Sequence, residues 1–333
     1  MNALVTTGHH DAHVRDWPTP TPRGDEAAVR PLLVGMCGTD LELIDGSMDP
    51  AYVHYPLVLG HEWVGQLTTE VEGVGAAGRR VVVEGIIPCG KCAACRRSAT
   101  NLCETYDEIG FTRPGAMAEL VTAPRSLIHP IDDAVALEDA VLVEPMAVVW
   151  RALTRLPLRD GLHVAVIGDG TIALLAAYLV ASLSLADVTI VGQREAQRSL
   201  AQRTGATRFV LEAPAARFDL VIEAAGTVAS VRTALDRCAR GGTVILLGLP
   251  PHGSRLEVAP DDLVNNDLIV QASFSYTRDA FADVVRHLNT TQWQPSFLLT
   301  HRYSLTDAED AVAALRASAP DTPRGKVVVD VTQ

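Results

Sequence analysis

Positive charge is scarce in this chain of 333 residues: 28 Lys and Arg stand against 40 Asp and Glu, a formal charge of -12. Phosphate attracts basic surfaces, so this balance argues against a general nucleic-acid or membrane-surface binder. No stretch approaches the ~20 uninterrupted apolar residues that span a bilayer. Met1 to Thr7 lack a basic region followed by a long apolar core, so no secretory signal is expected and the expected compartment is the cytoplasm. Internal repeats and low-complexity runs are also absent. What remains is a globular balance, 48% hydrophobic and 20% charged, which excludes wholesale disorder. The length suggests two domains.

Six cysteines are present: Cys37, Cys89, Cys92, Cys95, Cys103 and Cys238. Four of them form C-x2-C-x2-C-x7-C. A chain of this size has no need of disulfide staples. Two-residue gaps let neighbouring sulfurs point inward around one tetrahedral ion, with Zn–S near ~2.3 Å, so structural zinc is expected here. An iron–sulfur cluster is the alternative, but it would imply one-electron chemistry for which no partner site is visible. Lys91, Arg96 and Arg97 partly offset four thiolates. Cys238 lies in an apolar helical pattern and reads as a small core residue.

The first part of the chain is β-rich. Ala27–Val34, Arg80–Glu84 and Met117–Val121 read as strands, closely punctuated by Gly and Pro. Near residue 146 strands begin to alternate with helical stretches, the pattern of a parallel sheet in an α/β protein. Six strands are expected: His163–Gly168, Val188–Val191, Phe209–Leu211, Asp219–Glu223, Thr243–Leu247 and Leu268–Ser273. Helices are expected over Thr171–Ser182, Glu195–Thr204 and Ala229–Arg240. Beyond about residue 279 the alternation fades, and Lys326–Asp330 is expected to return to the first domain.

Gly168-Asp169-Gly170-Thr171-Ile172-Ala173 directly follows a buried-strand run and opens a helix. In G-x-G-x-x-[GA], the first glycine permits a tight turn and the second a close approach to a pyrophosphate. The small last residue lets helix and strand pack, and the helix N-terminus favours the anion. Gly168, Gly170, Thr171 and Ile172 are therefore cofactor candidates. NAD sites usually carry an acid at the end of the second strand. Here Gly192 stands there, which removes a charge that would repel a 2′-phosphate and leaves room for one. Arg194 and Arg198 are placed to pair with one, so NADP is favoured over NAD.

A second set of ligand-type residues comprises Cys37, His61, Glu62 and Glu144. Cys, His and Glu all bind zinc, and a mixed set leaves coordination capacity for water or substrate. Cys37-Gly38-Thr39-Asp40, Gly60-His61-Glu62-Trp63-Val64-Gly65, the Cys89/Cys92/Cys95/Cys103 lobe, Glu144-Pro145-Met146-Ala147, the Gly168 loop and Gly325-Lys326-Val327 occur in that order. Together they resemble the zinc-dependent medium-chain alcohol and polyol dehydrogenases.

That resemblance implies an α/β chain with a GroES-like β-rich catalytic domain over 1–145 and 280–333, carrying the zinc lobe at 88–104. A Rossmann domain, a doubly wound parallel sheet, would occupy 146–279, with the active site in the cleft between them. It implies two zinc ions per chain, the catalytic one on Cys37 and His61. Sorbitol and glucose dehydrogenases of the family have Glu-Pro where Glu144-Pro145 stands, so Glu144 is implied as a direct or water-mediated ligand, with Glu62 a second candidate. Thr39 is implied to bond the substrate oxygen, and Asp40 to support the zinc site from behind or cap the following helix. Glu42 replaces the histidine that continues the family's proton relay. Backbone contacts to the cofactor are implied at Ala225, Leu247, Leu249 and Ser273. Trp63 either lines the substrate cavity or fills the core.

The expected reaction is reversible oxidation of a secondary alcohol of a polyol, sugar or cyclitol with NAD(P). A carbonyl reductase of the same fold is the alternative, and a non-enzymatic zinc-ribbon binding protein a third reading. A homodimer or homotetramer is implied, acting on a small-molecule alcohol or ketone, with neither nucleic acid nor membrane as partner.

Overall fold

The computed structural model describes residues 1–156, 159–183, 186–290, 293–317 and 321–332. The chain divides into two compact units. One comprises Met1–Ala147, Thr277–Ser318 and Lys326–Gln333; the other comprises Val148–Tyr276 and Ala319–Gly325.

The first unit is built on a seven-stranded sheet. Its strands run Ile128–Pro130, Arg80–Val83, Glu62–Leu67, Glu26–Met36, Lys326–Asp330 and Leu299–Ser304, with Val121–Pro124 pairing the early part of Glu26–Met36. Lys326–Asp330 is buried along all five residues. It lies antiparallel to Glu26–Met36, with Val329 opposite Val34 and Val327 opposite Met36. A central strand covered on both faces has no solvent side, which explains its run of valines. The core collects Leu4, Val29, Val34, Met36, Leu59, Trp63, Val81, Met117 and Val327. Trp63 therefore fills the core.

Met117–Val121 does not form the expected strand. Ala116 and Met117 donate their N–H groups to Gly60 and Leu59 carbonyls at 2.8 and 2.9 Å, and Ala118 makes only an isolated bridge to Ala3. The local backbone is spent on the turn before His61, and the ladder starts at Val121.

The second unit is a six-stranded sheet, parallel in every pairing. Its order is Arg208–Val210, Ala186–Val191, Leu162–Ile167, Phe218–Glu223, Cys238–Leu246 and Ile269–Ala272. In sequence terms this is 3-2-1-4-5-6, the Rossmann arrangement, in which ligands gather beyond the carboxyl ends of the strands. Helix Thr171–Ser182 follows the first strand directly. Cys238 is not helical. The preceding helix ends at Arg237, and Cys238, with φ -70° and ψ 135°, begins the strand. It is buried, so its role as a small core residue stands while its element changes. Among the described residues no helix is long and apolar enough to cross a membrane.

Candidate metal and cofactor sites

Strand Glu26–Met36 ends where helix Gly38–Asp45 begins, and Cys37 sits at the junction. Its N–H donates to Asp40 Oδ2 at 2.8 Å. His61 enters from the other side, just before strand Glu62–Leu67. Gly60 turns the chain there at φ +102°, and a Cβ on it would lie 2.8 Å from the Met117 nitrogen. Cys37 Sγ and His61 Nε2 are 3.2 Å apart. The ligand atoms of Cys37, His61 and Glu62 all lie within 4.8 Å of one another.

The donor set fits a divalent cation. Zn–S of ~2.3 Å and Zn–N of ~2.0 Å at a tetrahedral angle place sulfur and nitrogen roughly 3.5 Å apart, close to the observed spacing. Asp40 is fully buried and its Oδ1 faces His61 Nδ1 at 3.7 Å, with neither atom hydrogen-bonded. Burial would lower the His61 pKa, but Cys37, Asp40 and Glu62 together hold it well above 6.5. Without a metal the imidazole keeps a proton that a cation would replace.

Glu62 is buried beside Lys326, one of two lysines in the chain. The contact needs Gly35, where a Cβ would lie 2.5 Å from Glu62 Oε2 and 2.9 Å from Lys326 Cε. Two further carboxyls sense this centre. Burial first, then Glu62, pushes Glu144 up to about 8. Burial pushes Glu108 up to about 7, against the pull of His61. Glu144 lies in the first turn of helix Val143–Thr154, but its oxygens are not among those gathered with Cys37, His61 and Glu62. The Phe111 ring lies 5.0 Å from the His61 ring. Thr39 is half-buried, whereas Glu42, three residues on, is exposed. Lys326 and Glu108 were not visible as site residues in the sequence, although a lysine opening a run of buried valines signals a buried charge that needs a partner.

The four remaining site cysteines form a separate lobe. Their sulfurs lie within 4.8 Å of one another, with Cys92 to Cys95 at 3.5 Å and Cys89 to Cys95 and Cys92 to Cys103 at 4.0 Å. A tetrahedron with ~2.3 Å metal–sulfur bonds has edges of roughly 3.8 Å, which matches. All four thiols are free. Backbone N–H groups of Lys91 and Cys92 lower Cys89 to about 6, while burial and neighbouring thiols push Cys95 up to about 12. Four crowded thiols cannot all ionise unless a cation offsets them.

On the second unit, Gly168 adopts φ +126° at the end of strand Leu162–Ile167, and a Cβ there would lie 3.1 Å from the Ala224 carbonyl. Gly170 caps the helix that begins with Thr171 and Ile172. Ala225 and Gly226 donate their N–H groups to the buried Glu223 at 2.8 Å. Leu247 donates to the Glu223 carbonyl at 2.9 Å, Leu249 is exposed, and Ser273 accepts from Arg151 at 3.0 Å. Register pairs Ile167 with Glu223, Glu223 with Leu246, and Leu246 with Ala272, so these candidates lie just beyond adjoining carboxyl ends.

Gly192 does not leave open space beside the loop. A Cβ would lie 2.6 Å from the Phe209 ring and 3.0 Å from Asp169 Cβ. Packing requires the glycine, and an acidic group, Asp169, stands next to it. Arg194 Nη2 and Nε donate to Asp169 Oδ1 at 2.8 and 3.2 Å. Arg198 is not brought to this loop: it pairs with Glu195 at 2.9 Å and donates to the Phe209 carbonyl at 2.8 Å.

Residues 23–133 match the family of the alcohol dehydrogenase GroES-like domain, and residues 137–318 that of the glucose dehydrogenase C-terminus. The chain belongs to the zinc-dependent medium-chain polyol dehydrogenase family. This dehydrogenase is 26% identical over 329 residues to sorbitol dehydrogenase of Bacillus subtilis, covering 94% of this chain and 92% of that one. It is 29% identical over 332 residues to L-threonine 3-dehydrogenase of Escherichia fergusonii, covering 94% of each. A zinc-binding dehydrogenase of Sinorhizobium meliloti, solved with NADP, superimposes with a TM-score of 0.90 at 28% identity over 99% of both chains. The protein is an NAD(P)-dependent alcohol dehydrogenase.

Proposed function

We propose that this dehydrogenase oxidises a secondary alcohol of a polyol, sugar or cyclitol to the ketone, with Cys37, His61 and Glu62 holding the catalytic zinc. The observation that carries the reading is the convergence of these three ligand atoms beside the buried Asp40 and Lys326. Zinc in such a site supplies Lewis acidity that lowers the proton affinity of an alcohol oxygen. The nicotinamide supplies the hydride acceptor.

The chain's own residues do the rest. Asp40 faces His61 Nδ1 and holds the imidazole so that Nε2 points at Cys37. Lys326 restrains Glu62, whose charge it offsets, so that Glu62 can yield its place to water or substrate. Glu144 serves as a direct or water-mediated ligand, and its hard oxygen suits a substrate with neighbouring hydroxyls. Thr39 would hydrogen-bond the substrate hydroxyl and accept its proton only while giving its own to Glu42, which is exposed one turn further on and can return it to solvent.

The second zinc binds Cys89, Cys92, Cys95 and Cys103, giving two per chain. Gly168, Gly170, Thr171, Ile172, Gly192, Ala225, Leu247, Leu249 and Ser273 line the cofactor site. NADP is the preferred cofactor, because Arg194 is held beside the glycine loop. The preferred assembly is at least a homodimer. Ile269–Ala272 is the last strand of its sheet, and Ile269 and Val270 are 56% and 44% exposed, with Val264 and Leu249 also exposed. An apolar open edge of this kind is protected when a second copy pairs with it. The proposed compartment is the cytoplasm.

A panel of polyols, aldoses, cyclitols, L-threonine and simple primary alcohols, with NAD and NADP, tests the substrate class through nicotinamide absorbance. Oxidation of vicinal secondary alcohols is expected. Activity confined to primary alcohols, or to L-threonine, would overturn the polyol reading.

A further inference from the structure

Three side-chain hydrogen bonds join the last turn of helix Val143–Thr154, and the residue after it, to the end of strand Ile269–Ala272. Gln271 Nε2 donates to the Ala152 carbonyl at 3.0 Å, Arg155 Nη1 donates to the Ala272 carbonyl at 2.9 Å, and Arg151 Nη1 donates to Ser273 Oγ at 3.0 Å. Ser273 is buried, and its N–H donates to the Leu246 carbonyl at 3.0 Å, so both its backbone and its hydroxyl are fixed. Two residues on, Ser275 adopts φ +50°, a conformation that a residue with a side chain holds only where its surroundings over-determine it.

The Arg151 guanidinium is poorly compensated for a purely structural brace. Its Nε is buried with no hydrogen-bond partner. Among the described residues neither Arg151 nor Arg155 forms an ion pair, and burial and the like charge of Arg155 hold Arg151 below its ordinary pKa. The partial negative charge of the helix end, in whose last turn it lies, offsets it only in part. An unpaired, half-buried cation with an orphan N–H costs stability, and such features persist where function needs them.

In this strand order the second strand, Ala186–Val191, faces the adenosine ribose. Phe218–Glu223, Cys238–Leu246 and Ile269–Ala272 therefore make the half that takes the nicotinamide nucleotide beyond their carboxyl ends. Ser273 is the first residue beyond the last of those ends. We propose that Arg151 is a positioning residue for the nicotinamide: through Ser273 it fixes the turn 273–275 that seats this end of the cofactor. This rests on the reading of Ser273 as a cofactor residue.

Calorimetric binding of NADPH and NADH to the full-length protein, beside the same molecules lacking nicotinamide (2′-phospho-ADP-ribose and ADP-ribose), tests it without turnover. R151M is expected to weaken whichever dinucleotide the parent holds more tightly about tenfold, the scale of one lost charged hydrogen bond, with its nicotinamide-free counterpart within about twofold. R151K keeps a donor for Ser273 Oγ and is expected to recover part of the loss. S273A is expected to reproduce the loss, and R151M/S273A to lose no more than either alone, because the two side chains act as one unit. The denaturation midpoint of R151M should stay at or above that of the parent, since an unpaired charge is gone. Equal weakening of dinucleotide and fragment by R151M, or a dinucleotide affinity equal to the parent's, would make Arg151 a structural brace and overturn the assignment. If S273A binds every probe as the parent does, Ser273 is not a cofactor residue and the reading beneath the proposal fails with it.

Discussion

The two cysteine-bearing centres of this dehydrogenase are built on opposite plans. In the lobe, four sulfurs from a span of fifteen residues lie within 4.8 Å of one another, three pairs of them 3.5 to 4.0 Å apart, and backbone N–H groups supply the stabilising donors. In the core of the same unit, one sulfur, one imidazole and one carboxylate converge from a helix start and a strand start. Around them stand Asp40, Lys326, Glu108 and Glu144, all ionisable. Four thiolates in the lobe would saturate a metal and leave nothing over, as a structural site does. The core centre offers fewer soft ligands and several groups able to exchange charge, as a reaction centre needs.

Substitution should separate the two plans. C37S or H61A is expected to lower kcat/KM for the alcohol by at least about 1,000-fold, since each would remove a proposed ligand of the reacting centre. Metal analysis should show the lobe ion retained. C95S is expected to do the reverse, lowering thermal stability and zinc content while molecules that stay folded keep most of their turnover. Equal losses of activity in both variants would erase the distinction.

Of the two centres, only the core one carries an ion pair buried on both sides among the described residues. K326M leaves Glu62 charged and unpartnered, at a cost of about 3–5 kcal/mol, read as a lowered denaturation midpoint. A midpoint within error of the parent would mean that Lys326 only fills space.

The pH response should differ as well. In the metal-free protein His61 lies above 6.5, Glu108 near 7 and Glu144 near 8, all above their ordinary values. The folded state then binds more protons than the unfolded chain. This part of its stability is fully present below the unfolded pKa values, and it is lost as pH rises from about 4.5 through about 8. Zinc displaces protons from the centre, so the zinc-induced rise in Tm is expected to widen over the same window. E144Q should flatten the upper part of that dependence. The smallest effect is expected from E42Q: the exposed carboxylate proposed as the relay can be replaced by water, and kcat should fall less than about tenfold.

Much of this was legible in the primary structure. Spacing exposed the lobe because its ligands are local, and the glycine loop announced itself because a strand precedes it and a helix follows. The valine run at Lys326–Asp330 marked a buried strand to the residue. Long-range contacts were not legible. Nothing near Lys326 in the chain shows that it meets Glu62 across Gly35, and Glu108 acquires its raised pKa only from burial in the fold, which outweighs the pull of His61. Gly192 looked like vacant space for a phosphate, but Phe209 fills it. The apolar helical pattern runs past Arg237 to Cys238, where the backbone has already turned extended.

The direct test of the central claim is the zinc content of the Cys37→Ser chain, measured alongside its oxidation of a polyol with NADP. The parent should hold two zinc ions, and the variant one, with hydride transfer abolished. A variant that kept both ions and its rate would show that the metal of the reaction does not sit on Cys37 and His61.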